Sequence, residues 1–105
     1  MEIKVIIKYP DDIGREVVIE DSLDSLRSIV GGHVEYFCPM NDLAIICNEE
    51  GKINGMPFNI RFADEYLFGP LIFAGRDPEN EESGLCDFPV DFKLYKQFIL
   101  GIFDD

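Results

Sequence analysis

A chain of 105 residues is long enough for one domain, and with 47% hydrophobic residues it can bury a modest core without disulfide or metal staples. Twenty-one acidic residues stand against 9 basic ones, a formal net charge of −12, so the clustered lysines and arginines that release counterions from nucleic-acid phosphates are missing. Direct nucleic-acid binding and attachment to anionic membranes are therefore disfavoured, and no apolar run approaches the eighteen or so residues of a membrane span.

The opening Met1-Glu2-Ile3-Lys4-Val5 lacks the apolar run of a signal peptide, which predicts a cytosolic protein. Ile3, Val5 and Ile7 alternate with Glu2, Lys4, Ile6 and Lys8, the period of a half-buried strand. The turn signal Pro10-Asp11-Asp12-Ile13-Gly14 then leads to Glu16-Val17-Val18-Ile19-Glu20, and the two strands are expected to form a hairpin. Asp21 or Ser22 can cap a short helix over about 22–30, whose Leu23, Leu26, Ile29 and Val30 fall at helical spacing and which Gly31 stops. At this length it must be held by tertiary packing.

His33-Val34-Glu35-Tyr36-Phe37-Cys38 alternates again and ends at Pro39. Leu43-Ala44-Ile45-Ile46-Cys47 is apolar on both sides, as a central strand covered on both faces must be. Asn48-Glu49-Glu50-Gly51 reads as a type I turn with a left-handed glycine at its end, returning the chain into Lys52-Ile53-Asn54. From Met56 to Leu67 the pattern weakens, and Pro57 predicts irregular chain or one helical turn. Phe68 to Ala74 reads as a strand that Pro70 assigns to an edge or a bulge. Asp77 to Asp91 then holds six carboxylates and no base, a segment that should stay hydrated. Pro89 opens a helix over about 89–103, where Val90, Leu94, Phe98 and Ile102 recur every four residues. The expected fold is a single α+β domain over 1–105, with a mixed or antiparallel sheet of about five strands.

Few of the reactive residues combine into a site. Cys38, Cys47 and Cys86 match neither a disulfide framework nor paired zinc-ligand spacing, and are expected as reduced, mostly buried thiols. Acidic neighbours raise a thiol's pKa, so Cys47 beside Glu49 and Glu50 is a poor nucleophile. His33 is the only histidine and has no fixed base or nucleophile near it in sequence. The acidic pairs Asp11-Asp12, Glu49-Glu50, Asp64-Glu65 and Glu81-Glu82 do not by themselves give the opposed geometry of a glycosidase. Asp77-Pro78-Glu79-Asn80-Glu81-Glu82 lacks the central glycine and terminal glutamate of a calcium loop. No phosphate-binding glycine loop, dinucleotide fingerprint or nucleophile elbow occurs, so no metal, cofactor or enzymatic activity is expected.

Val30-Gly31-Gly32-His33-Val34-Glu35, followed by Cys47-Asn48-Glu49-Glu50-Gly51-Lys52 and by Asn54-Gly55, Pro57 and Asn59, resembles the small proteins of the domain of unknown function 3846 family. The likeness covers roughly residues 22–76; where that family often has a basic residue directly after the final asparagine, this chain has Ile60-Arg61. The resemblance implies a setting in phages, plasmids and integrated elements, and implies no activity.

Two functions remain. In the first, the protein is an accessory factor of a mobile element, for counter-defence or regulation, that binds a host protein with a basic surface through Asp77, Glu79, Glu81 and Glu82. A globule of this length is about 33 Å across, and duplex DNA of that span carries roughly 20 charges, so −12 over the whole surface falls short of a faithful DNA mimic. In the alternative, Lys52, Asn54, Gly55, Asn59 and Arg61 form a loop for an anionic, nucleotide-like ligand, with Gly55 letting the backbone approach closely.

Overall fold

A computed structural model of the chain describes residues 1–62 and 64–89. Among the described residues six strands make the main sheet, a further two make a separate hairpin, and there is one helix. The strands are β1 (Glu2–Lys8), β2 (Arg15–Glu20), β3 (Val34–Met40), β4 (Leu43–Asn48), β5 (Phe58–Phe62), β6 (Glu65–Phe68), β7 (Leu71–Arg76) and β8 (Leu85–Cys86); the helix, α1, is Leu23–Val30. The main sheet runs β2-β1-β7-β4-β3, with β8 on β7, and each pairing is antiparallel. The expected α+β class holds, with more strands than the five anticipated. The helix expected over 89–103 lies, beyond Pro89, outside the described residues.

The β1–β2 hairpin forms as its alternation predicts, with Glu2 opposite Glu20 and Ile7 opposite Arg15. Ser22 caps α1, its Oγ accepting from the Ser25 amide at 3.1 Å, and Gly31 ends the helix in the left-handed region at φ 84°. The helix carries the chain from β2 at one sheet edge to β3 at the other. All six residues of β4 are buried, as a doubly covered strand requires.

Period-two alternation sorts the core into two layers, one on each face of the sheet. On the helix side, Leu26 and Val30 pack with Val5, Ile7, Ala44, Ile46, Ile72 and Ala74. On the other side, Ile6, Leu43, Ile45 and Phe73 are covered by Leu67 of β6 and Phe88, with Ile60 and Phe62 of β5 packed against them. The second face therefore has a β-hairpin as its lid.

Three sequence expectations are corrected here. The stretch Met56–Leu67 is not irregular: Phe58–Phe62 pairs antiparallel with Glu65–Phe68 through a register shift between Phe58 and Ile60, and Pro57 stands just ahead of the ladder. Leu71–Arg76 is no edge, because it pairs with both β1 and β4; Pro70 precedes it and removes no ladder donor. The turn Asn48–Gly51 does close, Gly51 N donating to Asn48 O at 3.2 Å, but the left-handed glycine is Gly55 (φ 72°). Residues 52–54 are therefore no strand; they lengthen the turn, with Asn54 N bonding Glu50 O and Met56 N bonding Gly51 O.

β1 pairs with β7 only through Ile6–Lys8. Beyond that point the two strands part and residues 85–88 enter the gap: Leu85 and Cys86 pair with Arg76 and Gly75, while Lys4 N donates to Asp87 Oδ1 and Phe88 N to Lys4 O. The approach is close enough that a Cβ on Gly75 would lie 2.3 Å from the Asp87 carbonyl oxygen, so this position admits glycine alone without a backbone shift. This wedge anchors the acidic segment to the main sheet.

Candidate functional site

The turn that carries the family pattern is largely internal structure. Asn48 is buried; its Nδ2 donates to Val30 O at the end of α1 and its Oδ1 accepts from the Glu50 amide. Gly32 leaves room for that side chain, since a Cβ there would stand 2.9 Å from Asn48 Nδ2. Asn59, 9% exposed, accepts from Lys8 Nζ at 2.7 Å and donates to the carbonyls of Lys8 and Gly69 at 2.8 Å each, tying β5 to β1 and to the turn between β6 and β7. Burial lowers the pKa of Lys8, while Asp11 and Asp12 pull it the other way.

The five residues expected to hold an anion are therefore not brought to one cleft. Lys52, Asn54 and Gly55 are exposed on the turn, whereas the side-chain oxygen and amide of Asn59 are taken up internally. Arg61 lies on the outer face of the hairpin, its guanidinium 5.6 Å from the Tyr66 ring centroid and 4.0 Å from Asp64 Oδ1.

The acidic segment is organised differently. Asp77 N donates to Gly84 O and Asn80 N to Asp77 O, while Asp77 Oδ1 accepts from the Glu79 amide and Asn80 Oδ1 from the Glu82 amide. Asn80 is the hub: its Nδ2 reaches Asp21 Oδ2 (3.0 Å), Ser83 Oγ (3.0 Å) and Leu85 O (2.8 Å). With local donors met in this way, Glu79, Glu81 and Glu82 point to solvent and Asp77 sits half-buried at the neck of the loop.

Three adjoining recesses of about 540, 410 and 580 Å³ surround this loop, and Asp21 lines all three. Glu2, Asp77 and Asp87 join it in the first; Glu20, Glu79, Glu81 and Glu82 join it in the third. No lysine, arginine or histidine side chain lines them. The α-ammonium of Met1 donates to Glu20 Oε1 at 3.0 Å, and that hydrogen bond and charge hold its pKa above the ordinary value. Tyr36, in the second recess, has its pKa raised by burial and then by the Asp21 charge.

Asp21 is the residue that sequence reasoning missed. Read as a helix cap, it yields that role to Ser22; it is instead 7% exposed, with Oδ2 on Asn80 and Oδ1 buried without a hydrogen-bond partner among the described residues. Asn80 had a signal, since an Asx residue three positions after Asp77-Pro78 marks a turn whose side chain bonds the backbone two residues on.

The three cysteines are free, and one is placed differently from expectation. Cys47 is 5% exposed, and burial, followed by Glu35 and Glu65, pushes its pKa up to about 11. Burial and then Asp77 and Asp87 raise that of Cys86, whereas Cys38 is exposed on β3. His33 is exposed in the approach to β3. Among the described residues, no group of three or more His, Cys, Asp or Glu is placed to hold a metal ion, and no helix is long and apolar enough to cross a membrane.

A family model described as Domain of unknown function (DUF3846) matches residues 3–99, well beyond the 22–76 stretch that carries the motif. No curated protein and no solved structure gives a significant match.

Proposed function

The chain belongs to the Domain of unknown function (DUF3846) family, and from that premise we propose that it is a binding protein whose acidic face engages a basic surface of a partner protein. The observation that carries this reading is the gathering of eight carboxylate residues around three recesses that share Asp21, beside a loop that Asn80 ties together. Spread evenly, a net charge of −12 is dilute; concentrated on one face it steers a cationic partner and penalises an anionic one. In a mobile-element setting the partner is a host protein whose basic surface ordinarily meets nucleic acid, and the role is counter-defence or regulation, without catalysis and in the cytoplasm.

The anionic-ligand alternative keeps Lys52, Asn54 and Gly55, which are exposed, and loses Asn59, whose side chain is occupied. The test is affinity capture with three proteins: wild type, the amide variant D77N/E79Q/E81Q/E82Q, and Lys52→Ala. Basic proteins held by wild type and Lys52→Ala but released by the amide variant support the acidic-face reading. Retention by the amide variant with loss from Lys52→Ala overturns it in favour of the loop.

A further inference from the structure

We propose that Asn54-Gly55 is a site of spontaneous covalent modification in the folded protein, where the side-chain amide becomes an aspartate or isoaspartate carboxylate with water as the only co-reactant. Of the asparagines Asn41, Asn48, Asn54, Asn59 and Asn80, Asn54 alone precedes a glycine. A glycine nitrogen has no neighbouring Cβ to obstruct its attack, and its backbone reaches conformations closed to other residues. Its surroundings do not confine it either, since a Cβ built on Gly55 would meet nothing within 4 Å.

Hydrogen bonding separates the asparagines further. Asn48, Asn59 and Asn80 each have both side-chain polar atoms engaged. The amide that follows Asn48 is also held, Glu49 N donating to His33 O at 2.8 Å. Asn54 is exposed, and no hydrogen bond engages its side chain among the described residues. Gly55 N reaches Lys52 O only at 3.3 Å, beyond the usual span of an amide hydrogen bond, so the nucleophilic nitrogen is weakly held.

The chemistry is closed within the turn. Gly55 N loses its proton to a solvent base and bonds to Asn54 Cγ, closing a succinimide ring as the side-chain nitrogen leaves as ammonia. Water then opens the ring at Cγ, which gives aspartate, or at the Asn54 main-chain carbonyl carbon, which gives isoaspartate with the chain running through Cγ. No electron is transferred. Either product adds a carboxylate to a chain already at −12 and places it in the turn that carries Lys52, leaving the acidic segment 77–87 as it was.

The test incubates native wild type and Asn54→Gln, whose longer side chain closes a ring far more slowly, at neutral and mildly alkaline pH. Peptide mass spectrometry follows amide loss at each asparagine, with Asn41, exposed but followed by aspartate, as the internal standard. Asn54 is expected to convert at least about tenfold faster than Asn41, faster still at alkaline pH, and to yield two isomeric products, while Asn54→Gln yields none. Hydroxylamine, which traps a succinimide, is expected to cut native wild type between Asn54 and Gly55, a reading that needs no variant. Conversion of Asn54 within twofold of Asn41 in the native protein overturns the proposal. Amide loss that gives aspartate alone, with no cut by hydroxylamine, overturns the succinimide route.

Discussion

Two loops of similar length, residues 48–59 and 77–87, look in sequence like opposite kinds of site: one mixes amides, an amine and glycines, the other is rich in carboxylates and has no base. In the structure their roles exchange. The first is occupied by its own fold, because Asn48 holds the end of α1 and Asn59 joins β5 to β1 and to the turn after β6. In the second, Asn80, with Asp77 and Ser83, meets local hydrogen-bonding demand and leaves Glu79, Glu81 and Glu82 outward beside a buried, half-satisfied Asp21. Polar residue types thus report chemistry only after their hydrogen bonds have been assigned.

The largest expected effect falls on the first loop. Asn59→Ala strands Lys8 Nζ and two carbonyls in a buried site, which costs about 3 kcal/mol, whereas the exposed Asn54→Ala changes stability by less than about 0.5 kcal/mol. Urea denaturation of both variants reads the contrast, and equal losses would break it. It also follows that loss of ligand binding in Asn59→Ala would reflect the fold as much as any site.

Asn80→Ala is the matching test on the second loop. It should cost about 2 kcal/mol and speed amide exchange from Asp77 to Leu85, while the exchange of β4 stays slow. Uniform protection loss across both regions would mean that the loop is not a separate unit.

A smaller effect is carried by pH. The Cys47 thiol, ordinarily near 9, titrates at about 11 in the folded chain, so the unfolded chain releases its proton first. Its contribution is fully present below pH 9 and is lost as pH rises towards 11. The difference between wild type and Cys47→Ala in melting temperature should shrink over that window; a constant difference would refute the burial account. Slow reaction of Cys47 with a thiol reagent at neutral pH, beside a fast denatured control, checks the same point. Least affected is Lys52→Ala, with a stability change under about 0.5 kcal/mol, as for an exposed side chain.

The elements that were legible in the sequence are those whose periodicity is undisturbed: β1 and β2 by alternation, α1 by its cap, spacing and glycine stop, β4 by its unbroken apolar run. The β5–β6 hairpin was hidden by Pro57 and by a buried asparagine in a strand, although Phe58, Ile60 and Phe62 do alternate. Pro70 concealed the central position of β7, because a proline just before a strand and one within it look alike until the first paired residue is known. Asp21 could not be found at all by local reading. Its hydrogen-bond partner is Asn80, fifty-nine positions away, and it shares a recess with Leu85, Cys86 and Asp87.

The central claim is that the face around Asp21 receives a basic partner, and the association rate is its most direct test. Stopped-flow mixing of a fluorescent lysine-rich peptide with wild type and with E79Q/E81Q/E82Q, across ionic strength, separates long-range steering from contact. A wild-type rate that falls steeply with salt, and a variant rate that is slower at low salt and nearly flat, is the predicted result. Equal rates with equal salt slopes would contradict it.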